Sequence, residues 1–283
     1  MNTKILYCVM MACFVSGRLI AAEDAGPNQQ LEGFNLNGYT NSGKKSWDIN
    51  GDKANIDDQT IKVTNVNANF YDAKENANLK SKSGTIDKTN GDVHLQDDVI
   101  VTADRGTTLT TDSLDWSRNK DLVKTDDEVT IQDEKGSVTG KGLIGHPNLK
   151  KAQLNEDVTA TIRTDKNKAL SGSLVQITCD GPMEVDQQKM MAVFNKNVVA
   201  RELQTGRQLQ ADKMTIWFDD KNKKLKKVVC AGNVVATQGN NSTYADEMIY
   251  TGADERLIMT GRPKLIFDTG NQGTNNLFDK IGQ

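Results

Sequence analysis

A five-residue phrase recurs six times in this chain and limits its fold more than any other feature. Each copy is a bend, usually carrying Gly, Asn or Asp, set immediately before a β-rich run. The copies are LQDDV (95–99), TDDEV (125–129), LNEDV (154–158), FNKNV (194–198), CAGNV (230–234) and MTGRP (259–263). Their last residues are 30, 29, 40, 36 and 29 positions apart. This spacing is typical of one supersecondary unit repeated along a chain, and not of a catalytic motif.

A second landmark precedes each phrase: a small or charged pair followed by Thr, Leu or Met. The copies are SGT (83–85), DSL (112–114), KGL (141–143), GPM (181–183), DKM (212–214) and DEM (246–248). The third residue of each lies 14 to 20 positions before the end of the next phrase, which is the length of a β-hairpin. We therefore predict stacked hairpins in which the phrase ends one hairpin and begins the next. The longest unit contains the polar run 219–224, predicted to be an exposed turn.

Composition favours an elongated stack over a compact globule. Only 36% of the 283 residues are hydrophobic, and the mean hydropathy is −0.58. A compact core of this size needs more apolar residues, whereas a thin, elongated core needs fewer. The chain has 4 Pro and spreads its β-formers throughout, which argues against disorder. A net charge of −3 without a basic face gives no reason to expect a nucleic-acid partner.

The first 22 residues have the order of a secretory signal peptide. Lys4 precedes an apolar run at 5–15, and small residues follow at 16–17 and 21–22. The run is shorter than the roughly 20 residues that span a bilayer. An uncleaved anchor and a lipoprotein modified at Cys13 remain alternatives. Each of these alternatives predicts export.

Two cysteines, Cys179 and Cys230, lie in the mature chain. Export would permit a disulfide between them, and two buried thiols are the equal alternative.

Catalytic and metal-binding motifs are not found. His94 and His146 have no ligand spacing to another His or to Cys and are predicted to be surface or turn residues. The Asp pairs at 57–58, 97–98, 126–127 and 219–220 are expected in solvated turns, where Asp bonds to the local backbone. No nucleophile elbow, P-loop or dinucleotide fingerprint occurs. We predict a protein that is not an enzyme and has no cofactor or metal.

Alternation with a period of two is clearest in the later units. Met214, Ile216 and Phe218 fall on one face, with Thr215 and Trp217 on the other. The residues at 190, 192 and 194 form a similar set, and those at 257 and 259 begin a third. Trp217 is expected either at an interface or packed as a structural residue.

The gap of 40 residues between the third and fourth phrases is the best internal boundary. It contains the strand-like run SGSLVQITC (171–179) and no linker rich in Pro, Gly or Ser. Two halves of one continuous sheet are therefore favoured over two separate globules.

An ordered set of phrases resembles the OstA-like, or LptA, family of lipopolysaccharide transport proteins. The set covers about residues 170–268 and consists of DGPMEVD (180–186), FNKNV (194–198), QADKMTIWFD (210–219), GNV (232–234), ADEMIY (245–250) and LIMTGRP (257–263). The upstream part, with LEGF (31–34) and WDINGDKA (47–54), is similar to LptC, and we assign residues 31–160 to that half. Residues 269–283 are expected to be a mobile tail.

The resemblance implies an all-β fold: an elongated, open antiparallel β-jellyroll of stacked hairpins, following the signal segment. It implies a non-enzymatic periplasmic protein that carries the acyl chains of lipopolysaccharide in an apolar groove. Candidate groove residues are Leu114, Trp116, Met183, Val185, Met190, Phe194, Met214, Ile216, Phe218, Met248, Tyr250 and Met259.

The implied partners are lipopolysaccharide, other Lpt bridge proteins joined by end-to-end strand pairing, an inner-membrane ABC transporter complex and an outer-membrane translocon. The pairing edges are expected just after Leu31 and at 265–267. A secreted structural or adhesive β-repeat protein without a lipid ligand would explain the same repeats. The deciding property is whether the inward faces form an open apolar groove or a dry core.

Overall fold

The computed structural model describes residues 29–40, 42–71, 76–104, 106–117, 119–120, 122–146, 151–163, 173–220, 224–254 and 256–268. Every regular element in these ranges is a β-strand, as predicted. The seventeen strands are β1 (Gln29–Tyr39), β2 (Lys45–Ile56), β3 (Thr60–Phe70), β4 (Ala77–Asp87), β5 (Val93–Ala103), β6 (Thr108–Ser117), β7 (Leu122–Asp133), β8 (Gly136–His146), β9 (Lys151–Arg163), β10 (Leu174–Cys179), β11 (Met183–Asp186), β12 (Met191–Glu202), β13 (Gln208–Phe218), β14 (Leu225–Gln238), β15 (Asn241–Thr251), β16 (Arg256–Thr260) and β17 (Lys264–Ile266).

The strands form one antiparallel meander in which most strands pair with their neighbours in the chain. Strands β1 to β9 follow in order. Next, β10 and β11 together fill one position between β9 and β12. Strands β12 to β15 continue the series, and both β16 and β17 pair with β15. At about 4.8 Å per strand, the stack is roughly 65 Å long, which confirms the elongated antiparallel fold.

Five of the six copies of the recurring phrase lie within strands and do not separate hairpins, so their predicted place was wrong; the sixth, MTGRP (259–263), spans the break between β16 and β17. LQDDV falls inside β5, FNKNV inside β12 and CAGNV inside β14. At each of these three sites two consecutive residues have positive φ, such as Asp97 (63°) with Asp98 (54°). Gly, Asn and Asp tolerate this left-handed conformation best, which explains the composition of the phrase. The phrase is therefore a corner within a strand.

The second landmark lies beside the first across the sheet. Register pairs join Gln96 to Ser113, Asn195 to Lys213 and Ala231 to Glu247. Register shifts occur at this level in most strand pairs. The corners therefore form one line across the sheet, and the sheet bends along it into two arms. On each side of this line, neighbouring strands are joined by a turn, and these half-length strand pairs correspond to the predicted hairpins.

The two arms are named by their turns. The first arm ends in the turns that follow β2, β4, β6, β8, β11, β13 and β15, and the second arm ends in the turns between the other strand pairs. The longest turn of the first arm lies where the polar run was predicted, since β13 ends at Phe218 and β14 begins at Leu225.

One core fills the space between the arms. The phrase contributes its first and last residues to this core, on either side of the corner. Phe194 and Cys230 are each 1% exposed, and after the corner Val198 is 0% and Val234 1% exposed. The buried cluster extends along the stack from Trp47 in β2 to Met248 in β15. Apolar residues at both ends of a five-residue phrase thus bury themselves while the bend itself stays outside.

The predicted signal segment (1–22) and the predicted tail (269–283) lie outside the described residues. Among the residues that the structure describes, no helix is long and apolar enough to cross a membrane.

Candidate functional site

Two inward-facing rows of side chains run the length of the first arm. The row next to the corner, here called the floor row, is almost fully buried: Leu143 and Phe194 are each 1% exposed and Met214 is 2% exposed. Its members are Ala54, Val63, Gly84, Leu95, Leu114, Thr125, Leu143, Leu154, Met183, Phe194, Met214, Cys230, Met248 and Met259.

The second row, here called the rim row, lies nearer the tip of the first arm and is more open. Direct register pairs join its members without a break: Ile56, Ile61, Ile86, Val93, Trp116, Val123, Gly145, Ala152, Val185, Ala192, Ile216, Val228, Tyr250 and Leu257. None of them carries a charge or an amide. Several, including Ile61, Val185 and Val228, are half-buried while packing on the core. The apolar interior therefore becomes accessible towards this tip.

The second arm supplies a matching row, here called the opposite row. Register pairs connect Leu36, Ile49, Ala68, Leu79, Val101, Leu109, Ile131, Val138, Ala160, Ile177, Ala200, Leu209, Ala236, Thr243 and Leu265. The row crosses every strand position of the sheet, and Thr243 is its one polar member. Two apolar arms thus enclose a continuous strip about 65 Å long.

Both ends of the strip are uncovered. At the β1 end, Leu31 is 45% and Leu36 52% exposed. At the other end, Leu257 is 51% and Leu265 54% exposed. Leu36, Leu257 and Leu265 belong to the same rows whose central members are buried. The rows therefore end because the sheet ends, and a further strand at either edge would continue them.

The structure brings together most of the residues predicted from the sequence. Leu114, Met183, Phe194, Met214, Met248 and Met259 lie in the floor row, and Trp116, Val185, Ile216 and Tyr250 lie in the rim row. Phe218 is half-buried against the core next to them. Met190 differs: it lies in the turn before β12 with φ 49°, so the predicted alternation does not reach it. A role in lipid binding stays a prediction for all twelve residues.

Sequence analysis missed the opposite row. Its members are mostly Val, Ile, Ala and Leu in short alternating runs, for example Val99 and Val101 in β5. Such runs indicate strands. Only the register shows that one residue from each of the fifteen strand positions lies on the same face of the sheet.

Polar groups are kept to the outside of the corners. Asn233 Nδ2 donates to Asp212 Oδ2 at 2.9 Å, and Lys82 Nζ lies 2.6 Å from Asp98 Oδ2. Ser113 Oγ donates to Asp127 Oδ2 at 2.5 Å. These Asp side chains bond to side chains of neighbouring strands, and their charges point away from the apolar rows.

The second arm buries Glu202 at the turn between β12 and β13, and it also buries Asp48 of β2. Glu202 accepts hydrogen bonds from Thr205 Oγ1 at 2.5 Å, Ser173 Oγ at 2.7 Å and Arg207 Nε at 2.7 Å. The hydroxyl of Thr205 first, then Ser173 and Arg207, lower the pKa of Glu202 to about 2. This cluster holds the turn between β12 and β13 together. The carboxylate of Glu202 is therefore occupied by these donors and is not free to accept a hydrogen bond inside the strip.

Cys179 and Cys230 are free, buried thiols in the structure. Of the two alternatives, a disulfide and two buried thiols, the structure therefore has the second. Burial raises the pKa of Cys179, and burial in the floor row raises the pKa of Cys230 to about 12. A thiol held protonated in this way is a poor nucleophile and behaves as a small apolar side chain.

His94 is an exposed residue of β5, as predicted, and its Nδ1 lies 2.6 Å from Asp115 Oδ1 on β6. Asp57 forms the expected turn, with the backbone N–H of Thr60 as its main donor, and this bond lowers the pKa of Asp57. Within the described ranges, no three His, Cys, Asp or Glu side chains lie together in a way that would hold a metal ion.

Comparison with protein families assigns both halves. Residues 16–163, more than half of the chain, match the family described as "Lipopolysaccharide-assembly, LptC-related". Residues 176–277 match the family described as "LptA/(LptD N-terminal domain) LPS transport protein". No curated protein matches the chain. The order of the two matches agrees with the resemblance drawn from the phrases, and the chain belongs to the LptC-related family of lipopolysaccharide assembly, with an LptA-like second half.

Proposed function

We propose that this protein is a non-enzymatic segment of the periplasmic bridge that carries lipopolysaccharide, and that it holds acyl chains between its two arms. The observation that carries the proposal is the pair of unbroken apolar rows, the rim row and the opposite row. Uncharged rows that cross a whole sheet suit a ligand that is itself long, apolar and without fixed polar contacts.

The energetics favour distributed binding. Each methylene moved out of water gains about 0.8 kcal/mol, so a chain of ten or more carbons binds without any single dominant residue. The floor row contains Met183, Met214, Met248 and Met259, whose flexible side chains adapt to irregular apolar surfaces. The half-buried members of the rim row, such as Ile61, Val185 and Val228, support entry from the tip of the first arm, where a lipid can reach apolar side chains without passing the corner.

The uncovered row ends support assembly by strand addition. A partner strand at β1 or at β16 and β17 would gain backbone hydrogen bonds and would cover Leu36 or Leu257 at the same time. We propose that these edges bind other Lpt bridge proteins, so that the series connects an inner-membrane ABC transporter complex with an outer-membrane translocon. The leader predicted at 1–22, cleaved or retained as an anchor, supports export to the periplasm.

The junction supports two consecutive bridge segments in one polypeptide. Strand β9 ends the first family match, and it pairs with both β10 and β11, which begin the second. We propose that residues 31–160 form the first bridge segment and residues 170–268 the second. Their contact is of the same kind as the contact proposed at the free edges, a strand of one segment paired with a strand of the next.

Photo-crosslinking tests lipid binding with a matched pair of neighbours. Phe218 packs on the core, whereas Trp217 lies on the outer face with the Lys227 ammonium 5.6 Å from its ring centre. With benzoylphenylalanine at position 218, we expect an adduct with purified lipopolysaccharide. The same probe at position 217 is the control and should give little adduct. Equal or absent labelling at both positions would favour the structural or adhesive alternative.

Depletion of the protein in cells gives an independent readout. Lipopolysaccharide should accumulate at the inner membrane if the chain is a bridge segment, and a normal distribution would argue against that role.

A further inference from the structure

Within the described residues, the apolar interior contains a buried hydrogen-bond donor without an acceptor. Trp116 belongs to the rim row and is 9% exposed. Its Nε1 atom is buried and has no hydrogen-bond partner among the residues that the structure describes. A donor removed from water without a new acceptor costs free energy, so nearly all buried donors in proteins are paired. An acceptor that arrives with a ligand would remove this cost.

Two buried hydroxyl groups belong to the same two strands, β6 and β7. Thr111 is 7% and Thr125 1% exposed, and their Oγ1 atoms are 3.5 Å apart. They occupy inward positions next to the corner, where their register partners are Val99 and Leu143. Thr125 is two residues from Val123, the partner of Trp116, so Thr125 and Trp116 are diagonal neighbours at about 7–8 Å.

We propose that the indole N–H of Trp116 donates a hydrogen bond to the carbonyl oxygen of an ester- or amide-linked acyl chain. The inference rests on the proposed function, since it concerns how the acyl chain is held. The carbonyl of the linkage is the acceptor group that every such chain carries next to its methylene run. A carbonyl only accepts and an indole N–H only donates, so their bond leaves no buried donor unpaired. A chain hydroxyl would bring a second donor that needs its own acceptor.

This bond would fix the position of the lipid along the strip. The linkage carbonyl lies at the head-group end of an acyl chain. Because Trp116 lies in the rim row, the head group would face the tip of the first arm near the turn between β6 and β7. The methylene run would then extend inward over the floor row, where Leu114 and Leu143 are buried.

An isosteric replacement tests the bond without making a cavity. In the full chain, Trp116 is replaced by 3-benzothienylalanine, which keeps the shape of the indole and substitutes sulfur for N–H. The same replacement at Trp217 is the control. The probes are purified lipopolysaccharide and a pair of lipid A analogues whose chains are ester-linked or ether-linked. Affinity is measured by fluorescence competition, and the thermal midpoint is measured without ligand.

We expect the replacement at position 116 to weaken binding of lipopolysaccharide and of the ester analogue about tenfold, which corresponds to about 1.4 kcal/mol. Binding of the ether analogue should be unchanged, and the control at 217 should bind all probes normally. The ligand-free thermal midpoint should not fall, because the N–H has no partner to lose.

Three results would overturn the inference. These are unchanged affinity for lipopolysaccharide at position 116, an equal loss for the ether analogue, and a thermal midpoint that falls by several degrees without ligand. The third would show that the N–H has an acceptor within the protein. Failure of lipopolysaccharide to bind the unmodified protein would instead overturn the proposed function, so the two failures are distinguishable.

Discussion

At the scale of single residues, the corners depend on a backbone conformation that few side chains tolerate. In β14 the corner is made by Gly232 (φ 78°) and Asn233 (φ 49°). A Cβ on Gly232 would lie 2.3 Å from Asp212 Oδ2, so this position needs glycine for space as well as for conformation. Asn233 tolerates a positive φ and also bonds to Asp212. The phrase therefore carries both the bend and its bond to the adjacent strand.

Replacing Asn233 by Val should lower the free energy of unfolding by about 1–2 kcal/mol, since a β-branched residue is strained at positive φ. Asn233→Gly should cost less, because it loses the bond to Asp212 but not the conformation. Asn55→Val, at an exposed strand position with ordinary φ, is the control and should be nearly neutral. Urea denaturation measures all three. Equal losses at 233 and 55 would contradict the corner argument.

The pKa of Glu202 makes stability depend on pH. Its folded pKa of about 2 is below the ordinary value of 4.5, so its contribution is complete above about pH 4.5 and is lost as pH falls towards 2. The thermal midpoint of Glu202→Gln should therefore lie below that of the wild type at pH 7, and the gap should close between pH 4.5 and 2. Circular dichroism melts at several pH values test this. A constant gap would show that the charge of Glu202 is not the cause.

At the scale of elements, the two edge regions are built differently from the strands between them. Among the strands that the structure describes, β1 has a partner on one side only, and so do β16 and β17. Edge strands of monomeric proteins are usually protected by charges, Pro or covering segments, because open edges pair with other chains. Here both edges place exposed Leu residues at the ends of apolar rows. These edges are therefore suited to pairing head to tail with a neighbour of the same architecture.

The two edges can be blocked one at a time. Leu36→Asp should prevent pairing at the β1 edge, and Leu257→Asp should prevent pairing at the opposite edge. Both residues are exposed, so the stability of the monomer should change by no more than about 0.5 kcal/mol. At concentrations where the wild type forms longer assemblies, each variant alone should form none, because its blocked edge cannot receive the intact one.

A mixture of the two variants should form dimers and nothing longer, because one intact edge of each kind remains. The control is Gln30→Asp, which adds the same charge to β1 at a position outside the opposite row. This variant should assemble like the wild type. Sedimentation velocity distinguishes these species. A wild type that stays monomeric, or variants that assemble normally, would contradict pairing of the chain with its own copies through these edges.

At the scale of the whole molecule, the central property is that two family regions share one sheet. The first region ends in β9 and the second begins in β10 and β11, yet the strand pairing and the buried cluster continue across the junction. The apolar rows cross it too, through the pairs Gly145–Ala152 and Ala152–Val185. The rows stay apolar at this point, where β10 and β11 share one strand position between β9 and β12.

Spin-label distances test this continuity. Lys62 on β3 and Lys226 on β14 are exposed and ten strand spacings apart, which predicts a separation of about 48 Å. Lys62 and Lys124, four spacings apart, should give about 19 Å as the internal control. Cys179 and Cys230 are replaced by Ala in this background. A long-pair distance that is short or broadly distributed while the control is sharp would indicate two halves that are not stacked end to end.

The sequence by itself determined the class of fold, its elongation and its internal repeat, because these follow from local signals. Bends rich in Asn, Asp and Gly recur 29 to 40 residues apart, and alternation of apolar residues with a period of two shows which side chains share a face. It also located part of the floor and rim rows, since positions such as Phe194 and Met214 alternate within their own strands. The resemblance to the lipopolysaccharide transport families rests on the order in which these phrases occur along the chain.

Tertiary structure alone decided where the bends lie relative to the strands, and which runs form a row. A bend in the middle of a strand and a bend between two strands have the same local composition, since both need residues that tolerate positive φ. Only strand pairing distinguishes them. Register likewise decides whether Leu36 and Leu265 belong to one strip, because one residue of slip turns a side chain to the opposite face. The unpaired N–H of Trp116 depends on packing between distant residues, which local sequence does not encode.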